Sequence, residues 1–349
     1  LKAAKRFVME RWFCMRKTGA ALFGLLLCLL AVACDGSIYD DEGDCSITYR
    51  VRFRYDWNMK FADAFAHEVK SVTLYVLDDA GNIVWQRTEA GEALAAEEYA
   101  MAVDVAPGTY DLMAWCGTTD KGSFRIPDAG RREELTCTLR RGHDDGGAAF
   151  VEEDLDRLYH GYLAKQTFED REGVHTMTMR LKKNTNNVRV VLQHLSGEPV
   201  EADKFTFSIS DDNGRMDWDN SLMEDEPIDY RAWHVDAGQA EIGYDGSRSA
   251  SIYTTAVAEL TVPRLMLENR KTARLTVRHA ETGKTVLSIR LIDALLLVKG
   301  YYNREMSDQE YLDRQDEYAM TFFIDEGYRW ENTCIYINSW RVVLQDIEL

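Results

Sequence analysis

The sequence has no C-x-x-C pair, no H-E-x-x-H, no G-x-S-x-G, and no Walker or dinucleotide-type glycine pattern behind a strand. These absences remove the common zinc frameworks, the metalloprotease helix, the nucleophile elbow and the phosphate cradle. The seven His are scattered, and carboxylates are so abundant that no two stand out as an acid–base pair. No enzyme activity, metal or cofactor is therefore expected. Basic excess is lacking too: 41 Lys and Arg face 59 Asp and Glu, a formal net charge of −18. A phosphate-binding face needs the opposite sign, so no nucleic-acid partner is expected. Nor is there a run that spans a bilayer, since the apolar block Gly19 to Val32 falls short of the ~20 residues such a helix needs.

What is present begins with that block. Residues 1–33 run against the charge of the chain, with Lys2, Lys5, Arg6, Arg11, Arg16 and Lys17 against Glu10. Met15-Arg16-Lys17 and the apolar run after it have the order of a signal peptide, and translation is expected to start at Met15, with residues 1–14 an over-read. The run ends Leu30-Ala31-Val32-Ala33-Cys34, small residues before a cysteine. This resembles a bacterial lipobox: cleavage is expected between Ala33 and Cys34, with the Cys34 thiol accepting the lipid. Ordinary signal cleavage beside an incidental Cys is the alternative. The acidic stretch that follows, up to residue 46, lacks the periodicity of a packed element and is expected to be a solvated tether. It looks like the acidic surface-export signal of Bacteroidetes lipoproteins. Several acyl chains on one Cys would hold the protein firmly, each buried CH₂ contributing ~0.8 kcal/mol.

From residue 47 the period changes to two. In "YRVRFRYDW" Tyr49, Val51, Phe53, Tyr55 and Trp57 fall on one face and Arg50, Arg52, Arg54 and Asp56 on the other, a half-buried strand. "SVTLYVLDDAGNIVWQ" reads as a hairpin about Asp78–Asn82, and "MAVDVAPGTYDLMAW" as two more β runs. "ELTCTLRR" and "HTMTMRLKK" add strands, while "GHDDGGAAFVEEDLDRLYHGYLA" between them reads as loop with a helical turn around Leu155–Tyr159. "NTNN" at 184–187 is polar punctuation, and a domain boundary is placed there. Beyond it come "VRVVLQHL", "KFTFSIS", "ARLTVRH", "VLSIRLI", "YAMTFFID" and "CIYINSWRVVLQDIEL" as strands. "MSDQEYLDRQDEY" is the one helical stretch, with Ser307 as N-cap and Glu310 placed for a capping box. The expected fold is all-β: one sandwich over residues 47–184 and a second over 185–349, behind a signal peptide (1–33) and a lipid tether (34–46).

Several side-chain groups bear on chemistry. "SDDNGRMDWDNSL" gathers Asp211, Asp212, Asn213, Asp217, Asp219 and Asn220, but its Gly sits at the wrong offset for an EF-hand and the closing Glu is missing, so a solvated turn is expected. His143 beside two acids reads as a surface loop. Of the four Cys past the leader and lipid site, Cys116 and Cys137 lie in strands of one domain; both a disulfide and two buried thiols remain open. Some of the eight Trp could stack on sugars, although Trp115 and its like sit where a sandwich core wants bulk.

Taken in order, "YDWNMKFADAFAHEVKSVTLYVLDDAGNIV", "LYHG", "LKKNTNNVRVVLQHLSG", "NGRMDWDNSL" followed by "DEPIDY", and the terminal "INSWRVVLQDIEL" resemble the FimB/minor-fimbrium anchor family of Bacteroidales lipoproteins. The resemblance implies two tandem transthyretin-like β-sandwiches and a lipidated, surface-exposed outer-membrane subunit. Such a subunit binds pilin subunits through β-strand interactions, anchors the fimbria and limits its length. Only Cys34 carries over a defined chemical role. Shaft pilins of this kind are cleaved after an Arg near their first strand, but Arg50, Arg52 and Arg54 are assigned no cleavage in an anchor. The C-terminal stretch could be a donated strand or the ordinary last strand of the second sandwich. A glycan-binding surface lipoprotein and a fimbrial tip adhesin are the alternatives.

Overall fold

The computed structural model describes residues 46–242, 251–300, 303–331 and 334–343. Two units separate: residues 1–48 with 171–174, and residues 49–170 with 175–349. In the first, the Gly173 N–H bonds the Ser46 carbonyl. The second holds the buried core.

Chain order begins with β1 (Ile47–Arg54), a single-turn α1 (Phe65–Glu68), β2 (Ser71–Leu77), β3 (Ile83–Ala90), β4 (Ala100–Val103) and β5 (Gly108–Cys116). The alternation expected of the first strand holds, with Tyr49, Val51, Phe53 and Tyr55 all buried. β2 and β3 form the expected hairpin. Asp78 accepts the N–H groups of Ala80 and Asn82, and Gly81 takes a φ of 81° that most side chains avoid. The two runs about Pro107-Gly108 part company: β4 pairs with β1 and β5 with β2, so the chain crosses from one sheet to another there.

Next come β6 (Phe124–Arg125), β7 (Cys137–Leu139), β8 (Gly142–His143), β9 (Ala149–Val151), β10 (Tyr159–Phe168), β11 (Gly173–Arg180) and β12 (Lys182–Lys183). The loop with a helical turn expected between residues 142 and 164 is instead β8, β9 and the start of β10. Leu155, Leu158 and Tyr159 have helical spacing, but the backbone is committed elsewhere. The Leu158 carbonyl accepts from Asn184 N–H, and Tyr159 opens the pairing with β5. One sheet has the order β11-β1-β4 and another β12-β10-β5-β2-β3. They meet face to face, with ring contacts of 5.1 Å for Tyr55–Tyr159 and 4.8 Å for Tyr49–Phe168.

The rest of the chain gives β13 (Thr185–His194), β14 (Phe205–Asp211), β15 (Arg215–Met216), β16 (Ile228–Arg231), β17 (His234–Ile242), β18 (Ser251–Pro263), β19 (Arg274–His279) and β20 (Thr285–Arg290). Then follow α2 (Leu291–Leu296), α3 (Asp308–Arg314), β21 (Glu317–Ile324), β22 (Cys334–Ile337) and β23 (Trp340–Val343). Two six-stranded sheets result, β17-β18-β13-β21-β22-β23 and β20-β19-β14-β16-β9-β8, beside a small β15-β7-β6 sheet. The all-β sandwich expectation holds. β9 joins β16 in parallel and β7 joins β15, so strands from before and after residue 184 share sheets, and one apolar cluster runs from Tyr75 to Ile337.

Local expectations fared unevenly. The helix forms with Ser307 capping the Glu310 N–H, but the Glu310 carboxylate turns to Arg314 instead of completing a capping box. β17 and β18 were missed, and the run read as a strand through Ile292 ends at Arg290. Leu291, Ile292, Ala294 and Leu295 then follow a helical period and are buried. The polar stretch "NTNN" lies in the interior: Asn184, Thr185 and Asn186 are buried. Asn184 and Asn220 exchange two amide hydrogen bonds, and Asn186 donates to the Pro263 carbonyl. The acidic turn expected in solvent is also largely interior, with Asp211, Asn213 and Asn220 buried. Each finds partners there, which lowers the penalty for burying polar groups. Asn213 receives the Tyr230 hydroxyl and donates to two backbone carbonyls, and Asn269 donates to Asp211 and Asp212.

Candidate interaction site

Ala33 and Cys34, the expected cleavage and lipidation residues, lie outside the described residues, as does the acidic tether up to residue 45. The site the described fold can offer is therefore made of sheet edges and grooves.

The last edge is built from the C-terminal stretch. β22 pairs with β21 only at Met320↔Ile337 and Thr321↔Tyr336. Beyond that Asn338 takes over the pairing. Its backbone N–H bonds the Ala319 carbonyl, its side-chain oxygen accepts the Ala319 N–H, and its side-chain amide reaches the Glu317 carbonyl. Asn338 and Ser339 have φ of 47° and 69°, the paired positive values of a tight two-residue hairpin turn, so the chain doubles back at Trp340 to form β23. Trp340 is 63% exposed, and the far side of β23 carries no partner strand among the described residues. Described residues 334–343 thus form a hairpin on their own sheet; 344–349 lie outside the described residues. Other edge strands include β17, β20 and β3, the last crossed near its start by the Ile83 N–H bonding to the Gly130 carbonyl.

Two grooves accompany these edges. One, of about 610 Å³, lies between the β2–β3 surface (Thr73, Tyr75, Gln86, Thr88) and the segment Thr118–Ala129. Burial pushes the Tyr75 hydroxyl up to about 12, so it stays protonated and can only hydrogen-bond. The other, of about 670 Å³, crosses β18, β13 and β21 and has Trp233 on its rim.

Apart from the grooves, Lys183 and Arg314 are buried charges. Lys183 reaches Glu68 at 3.0 Å and Asp316 at 2.5 Å, and Glu68 also accepts the Tyr159 hydroxyl. Arg314 lies 3.9 Å from the Trp57 ring and 4.7 Å from the Phe61 ring while donating to the Asp56 and Asn58 carbonyls. These contacts tie α3, and Asp316 two residues beyond it, to the segment Asp56–Glu68. Sequence reasoning missed them because a charged residue in a strand or helix normally reads as a solvated face.

None of these groups forms a nucleophile–base pair. Cys116 and Cys137 are free and buried, and burial raises both thiols far above their usual range, which holds them unreactive. His160 is held down to about 4 by burial against Trp115, with a ring nitrogen 2.9 Å from the Trp218 carbonyl.

A fold of edges and grooves over an inert interior suits adhesion and assembly, and comparison with known proteins specifies which kind. The family model of fimbrillin-A associated anchor proteins, Mfa1 and Mfa2, matches residues 41–346. The chain belongs to this family. Among solved structures, a candidate adhesin from Bacteroides thetaiotaomicron is 36% identical, covering 87% of this chain and 100% of that one with a TM-score of 0.76. A candidate polysaccharide-binding protein from the same species is 28% identical over 86% of this chain and 99% of that one, TM-score 0.71. The fimbrial anchor protein Mfa2 of Porphyromonas gingivalis, at 15% identity, shares the fold over 86% of this chain and 99% of its own, TM-score 0.62. No match was found among curated protein sequences. The resemblance read from the sequence motifs is thereby established, and with it a fimbrial anchor or adhesin-type role in the cell envelope or at its surface, in a family of structural proteins.

Proposed function

We propose that the chain is a lipidated outer-membrane anchor and assembly subunit of a fimbria. In this reading the leader is removed between Ala33 and Cys34, Cys34 carries the acyl chains, and residues 34–46 space the fold from the membrane. Residues 47–184 and 185–349 act as its two domains, with β7, β8 and β9 of the first lending strands to sheets of the second. The observation that carries the reading is positional: the family match begins at residue 41, just after a lipobox-like Leu30–Cys34.

Pilin contact would use β-strand interactions. An extended segment laid along an open edge such as β23 gains main-chain hydrogen bonds, and alternating side chains set its register. Attachment of the growing filament to a membrane-fixed base would also limit its length.

A Cys34→Ala substitution in the source organism, followed by fractionation and electron microscopy, tests this. Loss of the protein from the outer membrane together with shed or lengthened filaments supports anchoring. Loss of the protein with unchanged filaments would sink it. The similarity to a candidate adhesin at 36% identity favours a tip adhesin as the second reading, in which deletion leaves filaments attached but non-adherent.

A further inference from the structure

We infer that the groove beside Trp233 is a binding site for a neutral oligosaccharide. Its floor is a row of directly opposed residues on three adjacent strands, Glu259 on β18, Arg189 on β13 and Ala319 on β21. Where its neighbours are long and charged, Ala319 leaves a depression. Two strand-to-strand spacings separate the ends of this row, about 10 Å, the reach of a disaccharide. The volume of about 670 Å³ lies within the range of small-ligand sites.

Trp233 supplies the flat apolar face on which the C–H side of a sugar ring packs. It is 39% exposed, and it is fixed in place at two points. Its backbone N–H bonds the Glu259 carbonyl at 3.0 Å, and its indole N–H donates to Thr261 at 3.2 Å, whose hydroxyl in turn donates to Asp154 at 2.7 Å. A surface ring held this way is already ordered before a ligand arrives, which reduces the entropy lost on binding. Polar groups surround it: Asp154 and Arg157 on one wall, with Asn187, Gln315 and Asn338 lining the rest.

The charge pattern selects the ligand class. Arg157 pairs with Asp154 at 3.3 Å and Arg189 with Glu259 at 2.6 Å, so both cations are already compensated and an anionic ligand gains little. Paired carboxylates and guanidiniums still offer free acceptor and donor positions, which suits vicinal hydroxyls that both give and receive. On the floor β18 and β13 are paired on both sides, and Asn338 takes the N–H and carbonyl of Ala319 on β21, which leaves no main-chain edge for a peptide.

The test is a printed panel of neutral gluco-, galacto-, manno- and xylo-oligosaccharides probed with the full chain, then titration calorimetry with any retained sugar. Binding should fall about tenfold or more in Trp233→Ala and in the surface variant Arg189→Ala, while Gln86→Ala in the other groove leaves it intact. Melting temperatures establish that each variant is folded, and Arg189 lies in a surface row, so its replacement should leave the fold standing. Retention of no sugar, or equal retention by Trp233→Ala and Arg189→Ala, overturns the inference.

Discussion

Replacing Asp313 by Ala should destabilise the protein by about 3–5 kcal/mol, because it strands a buried cation. The magnitude follows from the geometry. Arg264 and Asp313 form a fork-to-fork pair with both bonds at 2.8 Å, and their side chains are only 8% and 2% exposed. The third donor of Arg264 goes to the Asn220 carbonyl at 2.5 Å, so the guanidinium cannot swing out to water without breaking that contact too. Lys182 at 3.3 Å and Gln309 at 3.0 Å also converge on Asp313, so Ala leaves several donors without an acceptor. The pair itself is expected to contribute little net stability, since the cost of desolvating two ions offsets their attraction. Arg264→Met combined with Asp313→Leu should therefore recover to within about 2 kcal/mol of the parent. Urea unfolding at neutral pH reads both values. With a slope of about 3 kcal/mol/M, the single variant moves the midpoint by roughly 1 M or more. A single-variant loss under about 1 kcal/mol, or a double variant as weak as the sum of the singles, would refute the reasoning.

Three further outcomes are expected. Burial, with Asp212 adjacent, lifts the Asp211 carboxyl to about 7, so its contribution to stability is full below the unfolded carboxylate range near 4 and is lost as pH rises through about 7. Asp211→Asn should consequently flatten the stability-versus-pH curve between about 4 and 7, and an unchanged curve would contradict this. Gly117 has a φ of 88°, and a Cβ there would lie 1.8 Å from the Arg157 carbonyl oxygen, so Gly117→Ala should lower the melting temperature sharply or prevent folding; a parent-like melting curve would show that the backbone yields. The Cys116 and Cys137 thiols should resist an aromatic disulfide reagent in the native protein and react once it is unfolded, which a timed absorbance trace decides.

The strands that alternate were legible because one face of each is core, as in β1, where Tyr49, Val51 and Phe53 pack inward. The capped helix was legible because Ser307 at its start is a local signal. What sequence pattern could not reveal is which strands become partners. Nothing local in Ala149–Val151 announces a parallel pairing with residues 228–230, nor in β4 and β5 that they go to different sheets. Polar residues misled for a similar reason. Asn184, Asn213 and Asn220 look like loop residues one at a time, and only the fold brings the Asn184 and Asn220 amides to one another and the Asn213 amide to the Pro263 and Arg264 carbonyls. Of the candidate site, the expected cleavage at Ala33 and lipidation at Cys34 rest on a linear motif outside the described residues, whereas the Trp233 groove depends on three strands meeting side by side.

The most direct test of the account is deletion of this chain from its source organism, with filaments counted by electron microscopy on cells and in the medium. The account predicts filaments released into the medium and longer than those of the parent. Filaments that stay attached at normal length would contradict it.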